Sequence, residues 1–157
     1  MRIRTQPSRA LDRIALALAI AGIADLVVKR IVTTRFVPGE RLSVIPNFLV
    51  LTFVRNDRGA MGLFGTRPAL LIGLALVVIA MLALLLYGAL RSSPATQVGF
   101  GLVAGGALGN VVDRLTHGYV IDYIALPRFY VFNLADAFIS CGLLLIALPA
   151  LGRKTSH

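Results

Sequence analysis

The sequence predicts a mainly α, integral membrane protein in which four transmembrane helices carry a small outward-facing β-element. Three observations predict this fold class. The chain is 57% hydrophobic and 15% charged, whereas a soluble domain is usually near half apolar and a quarter charged. Its apolar residues fall into four runs close to the roughly 20 residues that a membrane-crossing helix needs. The loop between the first two runs contains a strand-like segment.

The four predicted spans lie at residues 14–32, 69–90, 95–112 and 134–151. The first is interrupted by Asp25 and Lys29, whereas the second is uncharged and follows Pro68, a residue type favoured in the first helical turn. The third follows Pro94 and is rich in glycine, and the fourth has a single charge, Asp136, in its first turn. Together they predict one membrane domain over the whole chain, 1–157.

The outer loop, residues 33–67, is predicted to be structured rather than a simple linker. Its segment FLVLTFVRN (48–56) is apolar, β-branched and aromatic, which is typical of a strand. Pro46 and Asn47 precede it as a boundary. We therefore expect a small strand-bearing element on the outer face.

The charge pattern favours a cytoplasmic amino terminus, because four arginines precede the first span. Four spans then return the carboxyl terminus to the same side. The outer loop is itself basic, and the start also resembles a secretory signal peptide, but cleavage there would discard Asp25 and Lys29. We expect an uncleaved first helix. The net charge of +9 is scattered between apolar runs, which indicates membrane lipids as partners rather than nucleic acid. With one cysteine, Cys141, no intrachain disulfide is possible.

Polar residues cluster at one end of the predicted spans. Ionisable groups at membrane depth are costly, and they usually face a protein interior and have a function. An up-and-down arrangement brings the following residues to one side of the membrane: Asp25, Lys29, Asn56, Asn110, Asp113, Arg114, Asp122 and Asp136. Asp122 falls in the connection after the third span. The sequence therefore predicts one polar site near one leaflet.

Each part of this cluster also has a purely structural explanation. Asp25 and Lys29 are four residues apart and could form an internal ion pair, and Arg114 could neutralise Asp113. Asn133 followed by Asp136 has the spacing of a helix N-terminal cap. The small residues of the third span recur every four positions, at Gly101, Gly105 and Gly109, which predicts close helix packing.

Several catalytic and cofactor patterns are missing from the sequence. No cluster has metal-ligand spacing, no G-x-S-x-G elbow occurs, and no glycine loop precedes a lysine as a phosphate cradle would. The candidate chemistry is a pair of carboxylates, and we expect no metal or cofactor. A small transporter or proton-relay protein using the same buried carboxylates is the alternative.

Taken in order, the motifs resemble the lipoprotein signal peptidase (signal peptidase II) family of membrane aspartic proteases. Asp25 and Lys29 are similar to a D-Q-x-x-K box, with Leu26 in place of Gln. LTFVRNDRGAMGLF is similar to an N-x-G-A-x-F box, with Asn56 as its Asn and one extra residue before Gly59. GNVVDR, GYVIDYI and FNLAD match the remaining boxes.

This resemblance implies an aspartic endopeptidase that removes the signal peptide from diacylglyceryl-modified bacterial prolipoproteins, cleaving before the lipidated cysteine. Its catalytic pair falls on Asp122 and Asp136. Substrate-binding or site-shaping roles fall on Asp25, Lys29, Asn56, Gly59, Asn110, Asp113, Arg114 and Asn133, with Asp113 holding Arg114. The family fold adds a β-cradle and a short amphipathic periplasmic segment. The protein would lie in the cytoplasmic (inner) membrane with its active site near the outer leaflet. A monomer is expected.

Such a pair would share one proton, because two close carboxylates do not ionise together. Asp136 opens a helix, and the helix dipole favours its ionised form. We therefore expect Asp122 to be the protonated partner.

Overall fold

A computed structural model describes residues 7–57, 88, 90 and 92–152. These residues form three helices and three strands: α1 (Pro7–Arg35), β1 (Arg41–Ile45), β2 (Leu49–Asn56), α2 (Pro94–His117), β3 (Val120–Ala125) and α3 (Leu134–Gly152). The mainly helical fold with a small sheet is confirmed.

The three helices cover the first, third and fourth predicted spans. The second span, 69–90, lies outside the described residues except at positions 88 and 90, and Gly59 lies outside them as well. Within the described ranges, α2 is the one helix long and apolar enough to cross a membrane, and the apolar helix Leu134–Pro149 is shorter. Charges at Asp25, Lys29 and Arg30 interrupt the apolar stretch of α1.

Helix α2 lies between α1 and α3 and touches both through glycines. A Cβ atom at Gly105 would lie 2.8 Å from the Cβ of Ala21, and one at Gly109 would lie 2.5 Å from Oδ2 of Asp25. A later residue of α2 therefore contacts a later residue of α1, so the two helices are parallel. The packing predicted from the four-residue glycine spacing is confirmed.

On its other side, α2 packs antiparallel to α3. A Cβ atom at Gly99 would lie 2.7 Å from the carbonyl oxygen of Gly142, and one at Gly106 would lie 2.5 Å from that of Ala135. Both helix pairs therefore pack closely because α2 has glycine, and so no side chain, at these contact positions.

The ends of α2 fix where the chain turns toward the sheet. The Ser93 hydroxyl accepts the Thr96 N–H over 3.2 Å, and Pro94 occupies the first turn. At the other end Gly118 has φ 80° and donates its N–H to the Arg114 carbonyl over 3.0 Å. A left-handed Gly is a usual helix stop, and here β3 begins two residues later.

The sheet is antiparallel, with strand order β1-β2-β3. The predicted strand at 48–56 is confirmed as β2. The segment holding Asp122, expected to be a connection, is instead β3, which pairs with β2 so that Val54 opposes Asp122 and Asn56 opposes Val120. The expectation was wrong because this pairing joins residues more than 60 positions apart, which local sequence does not reveal.

A hydrophobic cluster attaches the sheet to the end of α1. Its buried members are Val32, Phe53, Ile121 and Tyr123. Because Val32 lies in the last turns of α1, the sheet sits at the end of the helices where Asp25 and Lys29 are located.

The link from β3 to α3 is a turn rather than a helix. Phe129 donates its backbone N–H to the Leu126 carbonyl over 3.2 Å, and Arg128 has φ 60°. Phe132 then pairs with Ile124 as an isolated bridge. The chain therefore returns from β3 to the start of α3 with no helix in residues 126–133, and the short amphipathic periplasmic segment stays an expectation.

The helices expose large apolar side chains on their outward faces. Leu16 and Ile23 of α1 are 63% and 62% exposed, and Leu144 of α3 is 62% exposed. Apolar surface of this extent indicates an apolar partner, and a lipid environment covers such faces.

Candidate active site

A buried lysine lies at the centre of the polar cluster. Lys29 is 2% exposed, and its Nζ lies 2.7 Å from Oδ2 of Asp25 and 2.8 Å from Oδ2 of Asp113. It also donates to Oδ1 of Asn110 over 3.0 Å. The predicted Asp25–Lys29 pair is confirmed, and Asp113 of α2 extends it. A buried charge is tolerated when it is paired and hydrogen-bonded in this way.

The expected pairing of Asp113 with Arg114 is wrong. Within the described residues, Asp113 pairs with Lys29, lies 4.0 Å from Nδ1 of His117, and accepts the backbone N–H of Ile121 over 3.0 Å. Successive helical residues point about 100° apart, so Arg114 faces elsewhere. Its guanidinium donates to the Asn110 carbonyl over 3.4 Å. The guanidinium also interacts electrostatically with Asp122, Asp136 and Asp113.

The start of α3 is capped as the sequence predicted. Asn133 Oδ1 accepts the backbone N–H of Asp136 over 2.9 Å, and the Asn133 N–H donates back to Oδ2 of Asp136 over 3.3 Å. This reciprocal arrangement is a capping box.

Two residues distant in sequence complete the capping of α3. The N–H of Ala135 donates to Oδ1 of Asp25 over 3.0 Å, and the N–H of Leu134 donates to the Tyr123 hydroxyl over 3.0 Å. The first amides of a helix lack partners inside it. Here α1 and β3 supply them, so three elements fix the position of the turn that holds Asp136.

Asp122 is buried between two asparagine amides. Asn56 Nδ2 donates to its Oδ2 and Asn133 Nδ2 donates to its Oδ1, each over 2.8 Å. Asn56 can reach it because residues two apart in a strand share a face, and Val54 is the residue opposite Asp122. Burial raises the pKa of Asp122 to about 6, and the Asp136 charge adds to this rise while both amides oppose it.

A third asparagine, Asn110, connects Asp136 to the amides around Asp122. Asn110 Nδ2 donates to its Oδ1 over 2.9 Å, and Asn133 Nδ2 donates to Oδ1 of Asn110 over 3.0 Å. Asn133 thus bonds to Asp122 through its side-chain N–H and to Asp136 through its side-chain oxygen and backbone. The two aspartates belong to one hydrogen-bonded cluster.

The structure therefore gathers the described members of the predicted site. They are Asp25, Lys29, Asn56, Asn110, Asp113, Arg114, Asp122, Asn133 and Asp136. In the part of the chain that the structure describes, no group of three His, Cys, Asp or Glu side chains could hold a metal ion. Sequence reasoning missed Tyr123, although a tyrosine inside an apolar strand usually needs a partner for its hydroxyl.

The fold and the cluster define a class: a helical membrane enzyme with two aspartates in one hydrogen-bonded cluster, of which Asp122 is buried and Asp136 is half-buried. The family model described as Signal peptidase (SPase) II matches residues 10–151. The chain therefore belongs to the signal peptidase II family, a family of peptidases.

Relatives in several bacteria agree with this assignment. The chain is 43% identical over 134 residues to the lipoprotein signal peptidase of Syntrophomonas wolfei, covering 84% of this chain and 89% of the relative. It is 39% identical to that of Moorella thermoacetica, covering 83% and 87%. It is 37% identical to that of a Nostoc species, covering 90% of each.

Two solved structures share the fold. Both are described as bacterial membrane enzymes and are 28% identical to this chain, with TM-scores of 0.79 and 0.76. The first match covers 94% of this chain and 90% of the other, and the second covers 96% and 97%. The resemblance inferred from the motifs is confirmed, and the transporter or proton-relay alternative is not favoured.

Proposed function

We propose that this protein is a membrane aspartic endopeptidase that removes the signal peptide from diacylglyceryl-modified bacterial prolipoproteins, cleaving before the lipidated cysteine. Family membership and relatives named lipoprotein signal peptidase support the reaction. The observation that carries the catalytic assignment is the pair Asp122 and Asp136, joined through Asn133.

In this mechanism Asp136 is the general base and Asp122 the general acid. Asp136 accepts a proton from the water that attacks the scissile carbonyl. Asp122 donates its proton to the carbonyl oxygen. As the tetrahedral intermediate collapses, Asp136 passes the proton it took from water to the leaving amine, and Asp122 takes a proton back from a hydroxyl of the intermediate. Two features support the assignment: burial raises the pKa of Asp122 to about 6, and Asp136 lies in the first turn of α3, where the helix dipole favours an anion.

Asp122 and Asp136 share one proton. We assign this proton to Asp122 because the surroundings of the two carboxyl groups differ. Infrared titration of Asp122→Asn and Asp136→Asn variants tests which carboxyl holds it. A carboxylic acid band that survives in Asp122→Asn and vanishes in Asp136→Asn would reverse the assignment.

The remaining site residues have supporting roles in this proposal. Asn56, Asn110 and Asn133 orient the carboxylates through their amides. The Asp25–Lys29–Asp113 cluster fixes α1 and α2 behind them. Arg114, which the Asp122 and Asp136 charges attract, has a substrate-binding or site-shaping role beside the pair. Gly59, which lies outside the described residues, keeps the substrate-binding or site-shaping role that the family motif implies.

We further propose four spans in one membrane domain, with both termini cytoplasmic and the site near the outer leaflet of the inner membrane. The parallel course of α1 and α2 supports the span at 69–90, because the chain has to cross back between them. The polar cluster supports a one-sided site: it lies at the last turns of α1 and α2 and the first turn of α3.

The proposal is tested by incubating the purified protein with a prolipoprotein that carries the diacylglyceryl group, beside the same precursor without it. Asp122→Asn and Asp136→Asn should each lose cleavage by at least about 10³-fold, as removal of acid–base groups usually does. Asp12→Asn, which changes an exposed aspartate of α1, should cleave like the parent. Equal cleavage by all four proteins would overturn the catalytic assignment.

A further inference from the structure

Tyr123 connects the two chain segments that bear the aspartates. Tyr123 is 3% exposed and belongs to the hydrophobic cluster between α1 and the sheet. Its hydroxyl oxygen accepts the backbone N–H of Leu134 over 3.0 Å. Tyr123 directly follows Asp122, and Leu134 lies two residues before Asp136, so this one bond ties the strand of one aspartate to the helix of the other.

The bond is not needed merely to start the helix. Asn133 already caps α3, with its side chain accepting the Asp136 N–H and its carbonyl accepting the Ala137 N–H over 3.3 Å. A tyrosine hydroxyl from a strand adds no helical propensity. What it adds is a direct link between two backbones, made by a ring that is buried in the hydrophobic cluster.

The surroundings of the hydroxyl point the same way. Burial raises the pKa of Tyr123, and the charges of Asp25, Asp136 and Asp122 raise it further. The phenol is therefore neutral at the pH near 6 where Asp122 titrates. A neutral, buried group suits a spacer, because it places no charge of its own near the pair when the pH changes.

We propose that Tyr123 is a positioning residue for the reaction: its hydroxyl sets the separation and orientation of Asp122 and Asp136 by holding the first amide of α3. The inference rests on the proposed catalytic pair. Catalytic groups have to be held within about 0.5 Å of productive geometry by residues behind them, and a small misplacement lowers kcat more than it changes substrate binding.

One substitution removes the acceptor of this hydrogen bond, and a second removes its donor. Tyr123→Phe removes the hydroxyl and retains the ring. Leu134→Pro removes the N–H at the first helical position, where proline is well tolerated. Leu134→Ala is its control, because it shortens the side chain but retains the N–H. Tyr119→Phe is the control for the first, because the described residues give the Tyr119 hydroxyl no hydrogen bond.

We expect Tyr123→Phe and Leu134→Pro each to lower kcat about tenfold, with KM within about threefold of the parent and thermal midpoints within a few degrees. The double variant should be no slower than the slower single variant, because both changes break the same bond. The pH profile of kcat should shift in both, and both controls should retain the parent profile. If Tyr123→Phe does not fold, Leu134→Pro against Leu134→Ala gives the same comparison.

Asp136→Asn is assayed alongside so that two failures are distinguishable. If Asp136→Asn is inactive while Tyr123→Phe and Leu134→Pro match their controls in kcat and pH profile, the positioning role is wrong and the proposed function stands. If their effects multiply in the double variant, the residues act independently and the inference fails. Full cleavage by Asp136→Asn would overturn the catalytic pair, and this inference with it.

Discussion

Asn133 donates a side-chain N–H to Oδ1 of Asp122 over 2.8 Å, although its position marks it as the N-cap of α3. One side chain thus starts a helix and holds a carboxyl on a different element. The cap alone could be formed by Ser, Thr or Asp. Ser and Thr, however, are too short to reach β3, and an aspartate has no N–H to donate to Asp122. The dual contact distinguishes a helix boundary from a site residue.

Asn133→Ser separates these two roles. Both Asn133→Ser and Asn133→Ala lose the buried amide contacts and should be less stable than the parent. Serine is a good N-cap, so Asn133→Ser should be about 1 kcal/mol more stable than Asn133→Ala. Both variants should cleave prolipoprotein at least about tenfold more slowly, because both lose the contact with Asp122. Cleavage by Asn133→Ser at the parent rate would show that capping is the whole role of Asn133.

Lys29→Met should strongly destabilise the protein. It would leave the Asp25 and Asp113 carboxylates buried without their cation, a situation that costs about 3–5 kcal/mol. Thermal unfolding in detergent measures the effect, and Arg30→Met, at an exposed neighbouring position, is the matched control. Adding Asp25→Asn and Asp113→Asn to Lys29→Met should restore part of the loss. A Lys29→Met protein as stable as Arg30→Met would contradict the importance of this cluster.

Gly109→Ala should disturb the site through Asp25. The new Cβ would lie 2.5 Å from Oδ2 of Asp25, the oxygen that pairs with Lys29. Either the helices separate or the carboxylate moves, so stability and cleavage should both decrease. The control is Gly22→Ala on α1, where the new Cβ would meet its neighbour at an ordinary 3.7 Å. Alanine favours helix by up to about 1 kcal/mol over glycine, so Gly22→Ala should be neutral or stabilising. Equal behaviour of the two variants would rule out the contact.

Stability should depend on pH through Asp122. Its pKa is raised from 3.8 to about 6 by burial, so the folded state binds this proton more tightly than the unfolded state does. The stabilisation is complete below about pH 3.8 and is lost as the pH rises through about 6. The free energy of unfolding of the parent should therefore fall relative to that of Asp122→Asn by roughly 1–3 kcal/mol between pH 4 and pH 7. Parallel pH dependence of the two proteins would show that Asp122 titrates normally.

Leu26→Gln should have little effect on catalysis. Leu26 is 42% exposed, whereas Asp25 and Lys29 are buried, so the residue that departs from the family motif faces away from the cluster. We expect kcat/KM within about twofold of the parent, measured on the diacylglyceryl-modified substrate, with Leu26→Ala as control. A large gain on restoring glutamine would place this position in the site after all.

Much of the helical framework was predictable because it depends on residues that are close in the sequence. Pro94 and the glycines of α2, and the Asn133–Asp136 spacing at the start of α3, are signals that act within a few residues. Asp25 and Lys29 pair because residues four apart in a helix lie on the same face. By contrast, the pairing of Asp113 with Lys29 rather than with Arg114 depends on how α1 and α2 are rotated against each other, which neither helix specifies alone.

The sequence by itself determined the composition of a membrane enzyme, the positions of three helices and one strand, and the ordered motifs that place it in its family. Only the tertiary structure decided that Asp122 lies in a strand beside Asn56, and that Asn133 and Tyr123 join that strand to the helix of Asp136. The reason is physical: backbone pattern is set by neighbours a few residues apart, whereas the geometry of a carboxylate pair is set by contacts between elements that meet after the chain has folded.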